Sequence, residues 1–245
     1  MVGPRTIQPR DIARSLAVED MDIVLEDLDR RAEFPLVPAV RRRSRYTARM
    51  KDHHQDAASD FNTLVATRRN FTLRRLHAPG PDDAALARIV EAAAHAPDHG
   101  LLRPWRFVLI PGQRRADLGE VFAAALAARD PDCDEAALAT ARDKALRAPC
   151  LLVAVLRDAP GSKTIPVAEK LVSLGCALQN LLLAAGAEGF ATGLASGAAM
   201  DSPGMRRLLR LTPHERAICF IGLGTAASAK PPRPRPDAAD YLSSL

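Results

Sequence analysis

The sequence predicts an α+β fold, in which helices cover a central β-sheet. Alanine and leucine dominate the composition and only 4% of the residues are aromatic, which favours helices and argues against an all-β sandwich. Several stretches carry apolar residues at helical spacing, and short continuous apolar runs typical of buried strands stand between them. Both element types in one chain indicate a sheet packed against helices.

Helices are predicted where apolar residues recur at intervals of three or four. A short first helix contains Phe61 and Val65 and ends at the basic pair Arg68-Arg69. Further helices are predicted at residues 83–95, 113–129, 134–147, 167–187 and 202–209. Asp82 can cap the start of the 83–95 helix, and Pro97 stops it.

Four short apolar runs are predicted to be the strands of the sheet. They occupy residues 105–110, 150–156, 190–194 and 216–223. The last run ends in Gly222-Leu223-Gly224. The proline-rich tail 231–236 cannot join a regular central strand, so we expect it to run extended over the surface or across a partner.

The first 60 residues differ from the rest of the chain. Prolines interrupt them, charges are dense, and residues 41–55 are almost without apolar side chains. Such a composition predicts a basic, largely disordered extension over residues 1–60 and a folded domain over residues 61–245. Two interpretations stay open: translation starts at Met50, or the extension is genuine and packs on a partner subunit.

The positive charge of the chain is local. Its net charge is +5, but the excess comes from basic residues within 41–51 and from Lys230, Arg233 and Arg235 near the end. Without the first group the charge is close to balanced, so we do not expect the main domain to bind nucleic acid. A basic interaction module that binds nucleic acid or acidic protein through residues 41–51 stays a rival hypothesis.

The cysteines and apolar segments indicate a cytoplasmic protein. The four cysteines are widely spaced and form no CxxC or Cys/His pattern, which predicts a reducing compartment and neither zinc nor disulfides. No apolar signal segment is found near Met1. The most apolar stretch, 171–187, is interrupted by Gln179 and Asn180 and is short for a membrane span, so we expect no membrane association.

Three segments carry residues that could bind a ligand. Arg68-Arg69-Asn70 can grip a phosphate, because guanidinium groups pair bidentately with phosphate oxygens; the alternative is two solvated arginines at a helix C-terminus. His95 and His99 flank a proline turn. Together with Asp98 they are three potential metal ligands, but no fourth ligand is evident and their spacing matches no zinc-binding motif. The small residues of 193–197 let a flat ligand approach the backbone. No dinucleotide fingerprint, P-loop or hydrolase triad is present.

Taken in order, these segments resemble the nitroreductase family, and in particular its small single-domain bacterial NAD(P)H nitroreductases. The resemblance rests on Arg-Arg at 68–69, Ala-Pro-Asp-His at 96–99, Pro-Trp-Arg-Phe at 104–107, Arg-Ala-Pro at 147–149, Gly-Cys-Ala at 175–177, Ser-Gly at 196–197 and Gly-Leu-Gly-Thr at 222–225. It covers residues 61–225. It implies a three-layer α-β-α sandwich with a mostly antiparallel sheet, and a homodimer with its flavin site across the two-fold interface.

The resemblance also implies an FMN site, carried over position by position. Its cofactor-binding residues would be Arg68, Arg69, Asn70, His95, His99, Leu194, Ala195 and Ser196. Nicotinamide binding is implied more weakly for Ala184, Ala185, Gly186, Ala187, Glu188 and Gly189. Four positions depart from the family. Asn70 stands where serine is more common, and His95 stands for arginine. Leu194 and Ala195 stand for Trp and Arg, which removes a stacking surface and a positive donor.

The implied activity is an FMN-dependent oxidoreductase. NADH or NADPH would give hydride to the flavin, and an electron-poor small molecule such as a nitroaromatic or quinone would then take it in a ping-pong cycle. No side-chain nucleophile and no metal is expected. The main alternative is a flavin carrier or sensor with little reductase activity, which the changes at Leu194 and Ala195 would suit. A flavin-dependent oxidase or flavin-destroying enzyme of the same fold is another.

Overall fold

A computed structural model of the protein describes residues 56–158, 165–228, 231 and 233–244. Most of the predicted extension, with Met50 and the basic segment 41–51, lies outside the described residues. A helix, α1, covers residues 56–67, so it includes the last five residues that the sequence analysis assigned to the extension. Described residues of the tail from 231 to 237 form no strand, as their prolines predict.

Five further helices follow α1, and local sequence explains where they start. They are α2 (Asp83–Glu91), α3 (Arg115–Arg129), α4 (Glu135–Asp143), α5 (Val167–Ala187) and α6 (Pro203–Leu208). Asp82 caps α2 by accepting a hydrogen bond from the Ala85 amide at 2.8 Å, and Asp134 and Ser202 cap α4 and α6 in the same way. Short 3₁₀ turns extend α2 and α4, over Ala92–His95 and Lys144–Leu146; the sequence analysis predicted these turns as parts of the helices.

Within the described residues the sheet has five strands: β1 (Leu76–His77), β2 (Trp105–Leu109), β3 (Cys150–Arg157), β4 (Ala191–Ala195) and β5 (Glu215–Ala226). All strand pairs are antiparallel. β5 pairs with β3 on one side, and on the other side with β4 and then β1. β2 forms the far edge next to β3. β5 is therefore the central strand that joins both halves of the sheet.

Helices cover both faces of the sheet. In β3, Leu152 and Leu156 pack on one face in a core cluster with α2 and α5. Leu151, Val153 and Val155 point to the opposite face and pack with α3 and α6, because successive side chains of a strand alternate in direction. The predicted α+β class and the three-layer α-β-α sandwich with a mostly antiparallel sheet are therefore confirmed.

Strand β5 differs from its prediction at its end. The prediction ends the strand at Leu223, whereas β5 continues through Gly224 to Ala226. A Cβ atom at Gly224 would lie 2.7 Å from the Pro149 ring and 2.8 Å from the His77 carbonyl oxygen. Close packing against these two neighbours therefore requires glycine at position 224. Strand β1, which pairs with the end of β5, is too short to be predicted from the sequence.

Helix α5 combines a buried apolar face with exposed apolar side chains near its start. Its 21 residues and mean hydropathy of 1.3 meet the length and composition of a membrane span. Leu174 and Leu181 are nonetheless buried against the sheet, at 1% and 0% exposure, as in the core helix of a folded domain. In the first two turns, Val167, Leu171 and Val172 are 43%, 43% and 66% exposed. These apolar side chains remain uncovered in the single chain.

Candidate functional site

Two cavities lie beside the chain that follows α1, and the larger of them lies where strand β4 meets the segment before β1. Its volume is about 380 Å³. Apolar side chains of α3, β3 and β5 form much of its lining: Phe122, Leu126, Leu151 and Phe220. Four of the residues predicted to bind flavin also line it: Asn70, Leu194, Ala195 and Ser196.

Backbone pairing brings Asn70 next to the 194–196 segment. The Phe71 amide donates to the Thr192 carbonyl oxygen at 2.9 Å, and the Leu194 amide donates to Asn70 Oδ1 at 2.7 Å. The chain after α1 thereby lies against β4. Gly193 makes this approach possible, since a Cβ atom there would overlap the Phe71 carbonyl oxygen.

The smaller cavity, of about 210 Å³, lies on the other side of Asn70 and contains the two arginines. Arg68 and Arg69 line it together with Gly186 and Gly189. Arg69 Nη1 donates to the Ala66 carbonyl oxygen at 2.5 Å and to that of Arg68 at 3.1 Å. Its Nε is buried and has no hydrogen-bond partner among the described residues. A buried, unpaired guanidinium donor is costly and indicates a place for an acceptor such as a phosphate oxygen.

The structure does not gather the segment predicted to bind nicotinamide at one cavity. Gly186 and Gly189 line the smaller cavity, whereas Ala184 and Ala187 line neither cavity. Ala185 is 0% exposed, so its side chain belongs to the core. Glu188 accepts two hydrogen bonds from Arg88 of α2, at 2.7 and 2.8 Å, and this pairing lowers the pKa of its carboxyl.

His95 and His99 line neither cavity of their own chain. His99 Nδ1 lies 2.9 Å from Glu169 Oε2 in the first turn of α5, and both side chains are more than half exposed. The turn after it has positive φ at Gly100, Leu101 and Arg103, with values of 63°, 54° and 43°. Leu101 is 80% exposed. Within one chain, therefore, the structure does not bring the two histidines to the other predicted site residues.

The sequence analysis missed three cations of the larger cavity: Arg129, Lys144 and Arg147. Arg129 ends α3, Lys144 follows α4, and Arg147 precedes β3. Arg147 belongs to a motif that the family resemblance had noted, but Lys144 and Arg129 gave no local signal. The three side chains come to line one cavity only through the packing of the folded chain.

Arg115, at the start of α3, fixes the segment that carries two of these cations. Its guanidinium donates to the carbonyl oxygens of Ile110, Ala145 and Arg147 at 2.9, 2.8 and 3.2 Å, and more weakly to that of Ala148 at 3.4 Å. Burial lowers the pKa of the Arg115 guanidinium and raises that of the neighbouring Cys150 thiol. Since Ala148 has a positive φ of 63°, these bonds also hold a strained turn in place.

Comparison with known proteins decides the family. Residues 65–225 match the family model described as the nitroreductase family. The chain belongs to the nitroreductase family. A Haemophilus influenzae protein named "Putative NAD(P)H nitroreductase" is 34% identical to this nitroreductase-family chain over 166 residues, which make up 68% of this chain and 88% of that protein.

Solved structures agree with this assignment at the level of the fold. A nitroreductase-like family protein from Bacillus cereus has a TM-score of 0.63 and 19% identity, over 75% of this chain and 95% of that one. A nitroreductase with bound FMN from Desulfitobacterium hafniense has a TM-score of 0.55 and 23% identity, over 75% and 96%. The predicted family, its oxidoreductase class and its fold are therefore confirmed.

Proposed function

We propose that this nitroreductase-family chain is a cytoplasmic, homodimeric, FMN-dependent oxidoreductase. It takes hydride from NADH or NADPH and delivers it to an electron-poor small molecule such as a nitroaromatic or a quinone. The name of the Haemophilus influenzae relative supports the NAD(P)H donor, and the FMN bound to the Desulfitobacterium hafniense protein supports the flavin. The flavin, when bound, supplies the hydride chemistry, and the chain supplies binding and electrostatics.

The observation that carries this proposal is the unpaired Arg69 Nε beside Arg68. Two guanidinium groups with a buried, unsatisfied donor fit the phosphate of FMN. Asn70, held by the Leu194 amide, connects the phosphate side to the larger cavity and would contact the ribityl chain. The flavin ring would lie along Leu194, Ala195 and Ser196 at the β4 side of the larger cavity, and the apolar side chains that α3 contributes would stay free for the second substrate.

The overall reaction needs no further oxidant or reductant. NAD(P)H and one proton convert a nitro group to a nitroso group and water, or a quinone to a hydroquinone, each with two electrons. No described side chain has to form a covalent bond in such a cycle. The task of the chain is to exclude water, orient the ring and place positive charge where reduction adds negative charge.

A homodimer is part of the proposal for two reasons. Val167, Leu171 and Val172 of α5 are exposed apolar side chains. Exposed apolar patches mark interfaces. Moreover, His95 and His99 lie outside both cavities of their own chain. In a two-fold dimer they would be supplied to the flavin site of the other subunit.

The test is a visible spectrum of the purified protein, recorded before and after addition of FMN and then of NADH or NADPH without oxygen. We expect a bound yellow flavin that loses its colour on reduction. Arg69→Ala should raise the dissociation constant of FMN roughly 10- to 100-fold, because hydrogen bonds to charged groups contribute about 1.5–3 kcal/mol. Arg74→Ala, an exposed neighbour outside both cavities, is the matched control and should leave it unchanged.

Two other outcomes would redirect the interpretation. A protein that retains no flavin after the excess FMN has been removed by desalting contradicts an enzyme of this kind. A bound flavin that neither NADH nor NADPH reduces would instead support the carrier or sensor, which the loss of the family's Trp and Arg at Leu194 and Ala195 would then explain.

A further inference from the structure

The larger cavity has an apolar floor and a cationic rim. Phe122 and Leu126 of α3 and Phe220 of β5 form part of the floor. Arg129 and Lys144, at the rim, are exposed, and Arg147 is half-buried. None of the residues that line the cavity is Asp or Glu. The cavity thus combines a surface for a ring with three positive charges.

These three cations are not used for ion pairing within the described part of the chain. The salt bridges there involve other arginines, such as Arg88 with Glu188 and Arg142 with Glu120 and Glu135. No described carboxylate forms a salt bridge with Arg129, Lys144 or Arg147. Like charges gathered without a partner repel one another, and an anionic ligand relieves this cost.

The rim is held in place before any ligand arrives. Arg115 binds the carbonyl oxygens of Ala145 and Arg147, so the backbone between Lys144 and β3 has little freedom. The same guanidinium contacts Ala148, whose backbone is in the left-handed region. A charged site on a fixed backbone loses less conformational entropy on binding than one on a free loop.

We propose that Arg129, Lys144 and Arg147 form an anion subsite, which selects planar aromatic electron acceptors that carry a carboxylate or sulfonate group. The aromatic ring lies on the apolar floor and the anionic substituent meets the rim. The inference rests on the proposed function, because it names the acceptor class of that same site. Neutral acceptors of equal size gain the ring contact alone and bind more weakly.

Two other anions could reach the same cations, namely the phosphate groups of NAD(P)H and the phosphate of FMN. The rim is left for the acceptor, because the arginines predicted to hold the FMN phosphate line the other cavity. The glycines of the segment predicted to bind nicotinamide lie there too. The experiment must therefore separate three steps: FMN binding, hydride donation and acceptor binding.

The experiment compares 4-nitrobenzoate with its neutral isostere 4-nitrobenzamide on the full-length, FMN-loaded protein. We expect kcat/KM to be at least tenfold higher for 4-nitrobenzoate than for 4-nitrobenzamide. Calorimetry with benzoate and benzamide, which lack the nitro group, should give a dissociation constant at least tenfold lower for benzoate. Arg129→Gln and Lys144→Gln should each reduce both preferences at least threefold, and 0.5 M salt should do the same. Arg114→Gln removes an equal charge from the start of α3, outside the cavity, and should change neither preference.

Other results overturn the proposal. The anion subsite would be refuted if the unaltered protein bound benzoate and benzamide equally. It would also be refuted if Arg129→Gln and Lys144→Gln both kept the full preference for the anionic compound. A slower bleaching of the flavin by NADPH in the variants, with acceptor preference intact, would assign the rim to the dinucleotide. A raised dissociation constant for FMN would assign it to the flavin phosphate. If the protein binds no FMN, the proposed function itself fails, and the benzoate and benzamide titrations still report on the rim because they need no turnover.

Discussion

Glu215, the first residue of β5, shows what a single carboxylate does at the edge of this fold. Arg106 of β2 donates to it twice, at 2.6 and 3.1 Å, and the Thr212 amide donates at 3.1 Å. Its side chain is only 10% exposed. The Arg106 hydrogen bonds, with those of Thr212 and the charge of Arg157, lower the pKa of Glu215 to about 2. The carboxylate thereby connects two strands that are not neighbours in the sheet.

This arrangement predicts a pH-dependent contribution to stability. Since the folded state lowers the pKa of Glu215, its contribution is complete above the unfolded value near 4.5 and disappears as the pH falls toward 2. We expect Glu215→Gln to reduce the free energy of unfolding by about 3 kcal/mol at pH 7. Urea unfolding at pH 7 and at pH 3 should show the difference between the two proteins becoming smaller at the lower pH.

Glu120→Gln is the control for this prediction. Its partner is Arg142 and its side chain is 67% exposed, so the pair should contribute less than about 1 kcal/mol. A difference at Glu215 that does not change with pH would mean that shape, and not charge, makes Glu215 important.

At the scale of elements, the site depends on how closely strand β4 meets the chain after α1. The Asn70–Phe71 segment bonds to Thr192 and Leu194 of β4, and this contact separates the two cavities. The only residue type that allows the approach at position 193 is glycine, because any Cβ atom would overlap the Phe71 carbonyl oxygen. Because Gly193 has no side chain, β4 can lie against the Asn70–Phe71 segment and position the site residues on both.

We expect Gly193→Ala to affect folding and cofactor binding together. The methyl group forces β4 away from Phe71, at a cost of about 3 kcal/mol from overpacking, and the Asn70–Leu194 hydrogen bond is lost. The free energy of unfolding and the affinity for FMN should both fall, which denaturant unfolding and flavin titration would measure. At Gly112 an added Cβ meets nothing within 4 Å, so Gly112→Ala should leave both nearly unchanged, and equal effects would contradict this account.

At the scale of the whole molecule, the single chain leaves two features incomplete. One is the group of exposed apolar side chains near the start of α5. The other is the turn after His99, which presents Leu101 at 80% exposure on a backbone with positive φ. Strained, exposed turns are found at functional sites more often than elsewhere. A second subunit would explain both features, and it is the simplest route by which His95 and His99 could contact a flavin.

A charge placed among the exposed apolar side chains of α5 should separate the subunits. We expect Val172→Glu to convert a dimer to a monomer, measured by light scattering at micromolar concentration, because a carboxylate cannot be buried unpaired in an apolar interface. FMN affinity should fall at least tenfold in the same variant. Ala124→Glu adds the same charge to an exposed position of α3 and should leave the dimer intact. A monomeric unaltered protein with full FMN affinity would contradict the shared site.

Sequence alone determined the elements whose signals are local. The cap at Asp82, the apolar periodicity of residues 167–187 and the continuous apolar run from Cys150 predict α2, α5 and β3 with few errors, because caps and side-chain spacing act over only a few residues. The family motifs added the fold and the expectation of FMN. The very short strand β1 and the glycines inside β5 gave no such signal, since what defines them is a neighbour far away in the chain.

Only the tertiary structure decided how the site residues are grouped. Arg69 and Asn70 are adjacent in sequence, yet the contact with β4 places them in different cavities. Arg129, Lys144 and Arg147 come from three segments and meet at one rim, while Arg115, which looks like any helical arginine in the sequence, is buried to hold that rim in place. Long-range packing creates these groupings, because a cavity is formed by surfaces whose spacing in the chain is unrelated to their distance in space.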